Sequence, residues 1–250
     1  MTAAEFTTVW PVLRFDAIDS TNSEARRRAE GGDFGSCWLS AARQTAGRGR
    51  LGRSWDSPVG NLSATALFRF AGSPVDAALA CFAAGLAVID AVNAAGVDSS
   101  GLRLKWPNDV LLGEAKVAGI LIETGGRAGA LWMAAGFGVN IAVAPKREDR
   151  ETASLGELPG GAGLTPERYL SLLDAAFRSR MARLVADGFG PMRADWLSRA
   201  AHIGRRVELT PATGRIEGIV RDLAADGALV LELPDGSLHN VRAGEISVLS

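Results

Sequence analysis

Residues 102 to 143, LRLKWPNDVLLGEAKVAGILIETGGRAGALWMAAGFGVNIAV, indicate the fold more clearly than any other part of the chain. Short apolar runs are separated by polar and glycine-containing breaks, which is the pattern of neighbouring strands joined by tight turns. The predicted strands lie at 102–106, 110–112, 117–123, 130–135 and 137–143. Hairpin turns are expected at Gly113 and Glu114 and at Gly125 and Gly126. The segment therefore predicts a largely antiparallel sheet.

Helices and further strands flank this segment. Capping side chains, apolar periodicity and bounding glycines predict helices at 20–30, 73–95, 165–186 and 191–200, and strands at 37–42 and 62–70. The first helix would begin with Ser20, Thr21 and Asn22, so these side chains are expected at a helix N-terminus. The polar, glycine-rich stretch 146–163 is expected to be a loop that can order over a ligand. Together the elements predict an α+β fold, a mixed sheet with flanking helices.

The C-terminal part of the chain has a purely β pattern. Short apolar runs separated by turn residues predict strands at 206–209, 216–222, 228–233, 238–241 and 246–249. Five short strands in so short a stretch are typical of a small barrel. A domain boundary is therefore expected near His202, with one domain at 1–202 and a second at 203–250.

Composition excludes several classes of protein. The chain has 250 residues, is 47% hydrophobic and carries a formal net charge of -1. A near-neutral charge argues against a general binder of nucleic acid or of anionic membranes. The N-terminus lacks the pattern of a signal peptide, and the longest apolar stretch, 77–89, is too short to span a bilayer. These features predict a cytoplasmic protein that does not bind a membrane.

Cysteine and histidine are too scarce for a metal centre of their own. Cys37 and Cys81 are the only cysteines, and His202 and His239 are the only histidines. Two cysteines in apolar stretches predict buried thiols rather than a disulfide framework. No spacing matches a zinc motif, so no metal is expected on protein ligands alone. Mg²⁺ carried by a nucleotide remains compatible with the sequence, since it needs only one or two carboxylates.

Residues 44–55, QTAGRGRLGRSW, form a loop with three glycines and three arginines in seven consecutive positions. Glycine lets several backbone amides point at one phosphate, and arginine adds a permanently charged planar fork. Gly47, Gly49 and Gly52 also match the dinucleotide pattern G-x-G-x-x-G, but the residues that follow, 54–61, cannot form the helix that this pattern needs. A solvated, mobile loop is the alternative. The composition favours binding of a phosphate or another polyanion.

Three further motifs are ambiguous when each is taken alone. Residues 105–109, KWPND, can present Asn108 and Asp109 to a nucleotide, or can form a simple turn beside an extended lysine. Lys116 precedes an apolar strand in which Gly119 would permit a close approach of the backbone to a ligand. It can equally be a solvated lysine at a strand start. Asn140 can bind a ligand or serve a turn.

The order of these motifs resembles that of biotin protein ligases. The resemblance covers residues 14 to 250 and rests on Ser20-Thr21-Asn22, the Gly/Arg loop 44–55, KWPND, the Lys116 strand and the GFGVNI stretch that contains Asn140. It implies a catalytic domain with a class II synthetase-like fold and a C-terminal SH3-like β-barrel. It also implies a monofunctional ligase without the winged-helix domain that binds DNA in bifunctional relatives. The family implies assembly either as a monomer or as a homodimer.

The family implies a reaction in two steps. Biotin and ATP, with Mg²⁺ on the nucleotide, give biotinyl-5'-AMP, and a lysine of a biotin carboxyl carrier protein domain then receives the biotinyl group. The residues implied to bind biotin are Ser20, Thr21, Asn22, Gln44, Arg48, Gly49, Arg50, Lys116 and Gly119. Those implied to bind the nucleotide are Arg50, Arg53, Trp55, Lys105, Asn108, Asp109 and Asn140. The catalytic roles fall to Arg48, Arg50, Lys116 and Asp109.

Two alternatives and one departure from the family accompany this interpretation. A lipoate or octanoate ligase would share the fold, and a non-catalytic nucleic-acid-binding module could also use an arginine loop and a small barrel. The complete Gly/Arg loop favours biotin, and the near-zero net charge disfavours nucleic acid. Some family members place near the C-terminus an arginine that reaches the nucleotide, where this chain has Leu249. Arg242 is the candidate to replace it.

Overall fold

The larger sheet of the chain is mixed and mostly antiparallel. The computed structural model describes residues 3–70, 72–127, 129–210 and 214–249. Within these residues the sheet consists of β1 Val12–Ile18, β2 Cys37–Gln44, β3 Leu62–Phe70, β4 Leu102–Lys105, β5 Asp109–Leu112, β6 Ala115–Arg127 and β7 Ala130–Val139. Its spatial order is β1-β2-β3-β7-β6-β5-β4. Strands β1 and β2 pair in parallel, and the other neighbours pair antiparallel. The predicted sheet is confirmed.

The β6-β7 hairpin corrects two details of the sequence analysis. Strand β7 is continuous, because Gly136 pairs with Thr65 on one side and with Leu121 on the other. Gly125 lies in β6 opposite Trp132 rather than in a turn. A Cβ atom on Gly125 would lie 2.5 Å from Cζ2 of Trp132, so glycine is needed here to accommodate the indole ring. The turn comes later and includes Gly129, whose φ is 78°.

Strand β1 was not predicted from the sequence. It is an edge strand, and Arg14 and Asp16 interrupt its apolar residues, so it lacks the uninterrupted apolar run of a buried strand. The turn predicted at Gly113 is confirmed, since it joins β5 to β6 with a φ of 60°.

Helices cover the two faces of the larger sheet. They are α1 Thr21–Gly31, α2 Pro74–Ala94, α3 Pro166–Asp187 and α4 Phe189–Ser198. Helices α2, α3 and α4 share the main apolar core with one face of the sheet. Helix α1 packs Ala25 and Ala29 against the opposite face, over Leu39, Leu67 and Trp132.

Helix α2 contains a longer apolar segment than the stretch 77–89, which was expected to be too short to span a bilayer. Residues Asp76–Ala94 are long and apolar enough to cross a membrane by length and composition, contrary to the shorter stretch considered from the sequence. Within the fold, however, 72% of the residues in that window are buried. Helix α2 is therefore a core helix of this domain.

The C-terminal strands form the predicted SH3-like module. They are β8 Arg206–Leu209, β9 Ile216–Leu223, β10 Leu229–Glu232, β11 Leu238–Val241 and β12 Ile246–Val248. Within the described residues they form an antiparallel sheet in the order β11-β10-β9-β8-β12. The module is attached to the rest of the chain by polar contacts as well as by the shared core. The indole of Trp106 donates to the carbonyl of Gly227 at 3.0 Å, and Arg193 on α4 pairs with Asp222.

Candidate active site

One cavity brings together the fifteen residues that the family resemblance assigned to biotin, to the nucleotide or to catalysis. It lies on the α1 face of the larger sheet and encloses about 1180 Å³ of space between protein atoms, part of it open to solvent. The predicted residues that line it are Ser20, Thr21, Asn22, Gln44, Arg48, Gly49, Arg50, Arg53, Trp55, Lys105, Asn108, Asp109, Lys116, Gly119 and Asn140. Segments that are far apart in the sequence therefore meet at one place.

Glycines in β7 form part of the cavity floor. Residues 136 and 138 lie on the same face of the strand because side chains alternate along it. A Cβ atom at Gly136 would lie 2.0 Å from Oδ1 of Asn22, and one at Gly138 would lie 2.2 Å from Cε2 of Trp55. These glycines are required because the side chains of Asn22 and Trp55 rest directly on the strand.

A β-bulge places Lys116 in the cavity. Val110 pairs with Ala118 whereas Leu111 pairs with Lys116, so Val117 is an extra residue in β6. In a regular strand, positions 116 and 119 would face opposite sides of the sheet. Here Nζ of Lys116 lies 3.0 Å from where a Cβ atom on Gly119 would be, so both positions face the cavity.

Lys116 and Asp109 form an ion pair at the centre of the site. Nζ of Lys116 lies 2.7 Å from Oδ1 of Asp109, and the two side chains are 13% and 16% exposed. Burial lowers the pKa of the Lys116 ammonium below its ordinary value, and the Asp109 carboxylate opposes that shift. The ammonium also lies 5.4 Å from the centre of the Trp55 ring. Lys116 thus presents a poorly solvated ammonium, paired with the Asp109 carboxylate, to an aromatic ring.

The Gly/Arg loop is fixed by its arginines to three parts of the fold. Arg48 donates to Glu123 at 2.9 Å, and Arg50 donates to Oδ1 of Asn108 at 3.0 Å. Arg53 forms a two-pronged ion pair with Glu245. Residues 54–61, which follow the last glycine of the dinucleotide pattern, do not form a helix. This agrees with the exclusion of that pattern.

The start of α1 is held by hydrogen bonds to the neighbouring strands. Oε1 of Gln44 accepts from the backbone amide of Thr21 at 2.8 Å and from its hydroxyl at 3.1 Å. The amide of Asn22 donates to Glu123 at 2.9 Å, while its oxygen accepts from Thr65 at 2.7 Å. Ser20 caps the helix by accepting from the amide of Ser23. These contacts fix the polar groups that α1 presents to the cavity.

Asn140 is buried beneath the site. Its amide group donates to the carbonyl of Lys116 at 3.2 Å and to that of Ala153 at 3.1 Å. Both amide hydrogens are thus engaged by the backbone. In this arrangement Asn140 supports the position of Lys116, and the nucleotide contact expected of it stays a prediction.

The C-terminal module also contributes to the cavity wall, although not through the residue that was expected. Gly244, Glu245 and Ile246 line the cavity. Arg242 instead pairs with Asp226 at 2.8 Å and is largely exposed. Arg242 therefore does not replace the arginine that some relatives have at the position of Leu249.

Sequence reasoning missed several residues of the site. Arg147 and Arg150 of the 146–163 loop line the cavity. Glu123 had a detectable signal, since it follows Gly119 and Leu121 on the same face of β6 and places a charge at the end of an apolar run. Glu245 had none, because its partner Arg53 lies 192 residues away in the chain.

Known proteins resemble the chain along most of its length. The model of the biotin/lipoate A/B protein ligase family matches residues 15–140, and that of the biotin protein ligase C-terminal domain matches residues 202–249. A biotin–[acetyl-CoA-carboxylase] ligase of Paracoccus denitrificans is 42% identical over 226 residues, which are 87% of this chain and 92% of the relative. The bifunctional ligase/repressor BirA of Escherichia coli (strain K12) is 32% identical over 238 residues, 93% of this chain and 72% of that protein. A biotin protein ligase from Aquifex aeolicus in complex with biotin and ATP has a TM-score of 0.78 at 26% identity, covering 96% of this chain and 98% of its own.

Proposed function

The chain belongs to the biotin/lipoate A/B protein ligase family, and from that premise we propose that it is an ATP-dependent biotin protein ligase. It forms biotinyl-5'-AMP from biotin and ATP and transfers the biotinyl group to a lysine of a biotin carboxyl carrier protein domain. The observation that carries this proposal is the convergence of the fifteen predicted residues on one cavity. Catalysis belongs to a domain at 1–202, and the module at 203–250 closes one side of the site.

The first step joins two anions. A carboxylate oxygen of biotin attacks the α-phosphorus of ATP, the bond from that phosphorus to the bridging oxygen breaks, and pyrophosphate leaves. Arg48, Arg50 and Lys116 offset the repulsion between the reactants and stabilise the charge that develops. The buried Lys116 is the strongest of these, because its charge acts in a poorly solvated place. Ser20, Thr21, Asn22, Gln44, Gly49 and Gly119 complete the biotin site.

The nucleotide is proposed to bind in the same cavity as biotin. Its proposed contacts are Arg50, Arg53, Trp55, Lys105, Asn108, Asp109 and Asn140. No group of three or more acidic, histidine or cysteine side chains within the described residues forms a metal cage. The carboxylates that line the cavity, Asp56, Asp109 and Glu245, each pair with a cation. This donor set fits Mg²⁺ that arrives on the phosphates of ATP and takes at most one or two protein ligands.

The second step transfers the biotinyl group. The carrier lysine attacks the carbonyl carbon of the adenylate, and AMP leaves as the amide bond forms. The lysine must lose a proton, and Asp109 is the proposed acceptor. A mixed anhydride hydrolyses readily, so closure of the Gly/Arg loop would exclude water between the two steps.

The partners and location follow from the same proposal. The macromolecular partner is the carrier domain, and neither DNA nor a membrane is needed for the reaction. A cytoplasmic location belongs to the proposal as well, and the family resemblance implies either a monomer or a homodimer. Support for biotin over lipoate comes from the names of the Paracoccus denitrificans relative and of the Aquifex aeolicus structure, both of which are biotin ligases.

Pyrophosphate release tests the function directly. The protein is incubated with Mg²⁺ and ATP in the presence of biotin, lipoate or octanoate, each at the same concentration. Release that requires biotin is expected. Release driven equally well by lipoate or octanoate would identify the rival ligase, and a lack of release with all three acids would refute an adenylate-forming enzyme.

A further inference from the structure

Glu123 contacts two residues of the proposed biotin site, Asn22 and Arg48, although the sequence motifs assigned it no role. One carboxylate oxygen, Oε1, accepts from Arg48 of the Gly/Arg loop at 2.9 Å. The other, Oε2, accepts from the amide of Asn22 on α1 at 2.9 Å. These two partners line the cavity from different segments. The carboxylate of Glu123 therefore bridges Asn22 and Arg48.

The contacts around Glu123 leave its partners little freedom. The amide of Asn22 also donates to the carbonyl of Leu121, and its oxygen accepts from Thr65. A second nitrogen of Arg48 donates to the hydroxyl of Ser23 at 3.3 Å. The guanidinium of Arg48 is thus held between β6 and the first turn of α1.

A negative charge at this place needs an explanation. The cavity is expected to receive a carboxylate and a triphosphate, and an added carboxylate behind two of its lining residues repels both. The side chain of Glu123 is 20% exposed, compared with 37% for Arg48, so solvent screens the charge incompletely. A neutral acceptor could satisfy Asn22 alone. The charge is explained if its purpose is to fix the orientation of Arg48.

We propose that Glu123 is a positioning residue for formation of biotinyl-5'-AMP. It holds Arg48 against α1 in the orientation in which the guanidinium meets the biotin carboxylate. The inference rests on the proposed function, because Arg48 acts there on biotin. It adds a residue that reaches the substrate only through another side chain.

Kinetics of Glu123→Gln separate positioning from a general structural effect. The glutamine keeps one oxygen acceptor but loses the ion pair with Arg48, so KM for biotin is expected to rise about tenfold. KM for ATP is expected to stay within about twofold, since Arg48 is not a nucleotide contact. The matched control is Glu24→Gln, which removes ion pairs with Arg27 and Arg28 on α1 without touching the cavity. It should leave both constants unchanged. Equal increases of both KM values in Glu123→Gln would overturn the inference.

A double-mutant cycle with Arg48→Ala tests whether Glu123 acts through Arg48. Adding Glu123→Gln to Arg48→Ala is expected to change biotin-dependent pyrophosphate release by less than about twofold, because no guanidinium is left to orient. The positioning role is refuted if the fold-reduction in the double variant equals the product of the fold-reductions in the two single variants. Glu123→Asp keeps the negative charge, so it should retain part of the biotin-dependent activity that Glu123→Gln loses.

Amide exchange supplies a test that does not depend on turnover. Without substrates, the amides of residues 47–53 should exchange faster in Glu123→Gln than in the wild type, because one anchor of the loop is gone. Unchanged exchange contradicts the inference even if the enzyme is active. A wild-type protein that releases no pyrophosphate with biotin refutes the proposed function instead, and the inference with it.

Discussion

Replacing Lys116 by alanine removes the charge at the centre of the site. In the structure its side chain is 13% exposed and its ammonium nitrogen lies 2.7 Å from Asp109. Loss of one group that stabilises developing charge costs about 10² to 10³ in rate, or about 2.7–4 kcal/mol. Lys116→Ala is therefore expected to slow biotinyl-5'-AMP formation at least about 10²-fold, and Arg50→Ala should have an effect of the same size.

The same substitution leaves Asp109 without its cation. An unpaired, poorly solvated carboxylate would repel ATP and lower the stability of the fold. Part of the activity lost in Lys116→Ala would therefore come from the unpaired Asp109 rather than from the missing ammonium. The double variant Lys116→Ala with Asp109→Asn removes that excess charge. If Lys116 acts on the reacting anions, the double variant should recover less than about tenfold of the lost activity.

Biotin-dependent pyrophosphate release, measured under single-turnover conditions, isolates the first step. The matched control is Lys146→Ala, since Lys146 is an exposed lysine of the neighbouring loop that does not belong to the lining residues described for the cavity. Thermal unfolding of each variant checks that the fold is intact. Release by folded Lys116→Ala within about tenfold of the wild-type rate would refute the assigned role.

Three further predictions concern other features of the site. Burial lowers the pKa of Lys116 below 10.5, so pyrophosphate release should fall as pH rises through that lower value. Lys116→Arg should shift the fall to higher pH because a guanidinium stays charged, and an identical pH profile would contradict this. Gly138→Ala places a Cβ atom 2.2 Å from Trp55 and should raise KM for ATP, whereas Gly35→Ala, with open space around it, should not. Biotin should slow amide exchange in residues 44–56, and exchange rates unaffected by biotin would count against a closing loop.

Local sequence signals were sufficient to predict the positions of helices and strands that are bounded by turn residues or helix caps. The strands of the C-terminal module lie within about two residues of their predicted positions, because turn residues such as Pro234 and Gly236 separate them. Helix α1 begins at Thr21 after the capping Ser20, as expected. The candidate site residues came from the order of the motifs, which a family resemblance supplied.

The features that sequence reasoning missed depend on tertiary partners. The two glycines at 125 and 126 have the composition of a turn, yet the indole of Trp132 on the next strand requires the first of them inside β6. The bulge at Val117 is visible only in the pairing of β5 with β6, and it decides which way Lys116 faces. The ion pair between Arg53 and Glu245 spans almost the whole chain. No local pattern carries such information.

The mass of a carrier domain after reaction measures biotin transfer itself. A biotin carboxyl carrier protein domain is incubated with the protein, biotin, Mg²⁺ and ATP, and its intact mass and peptide fragments are then measured. The carrier is expected to gain one biotinyl group on one lysine, and only when both biotin and ATP are present. An unmodified carrier in the presence of active protein, or a carrier modified only when lipoate or octanoate replaces biotin, would contradict it.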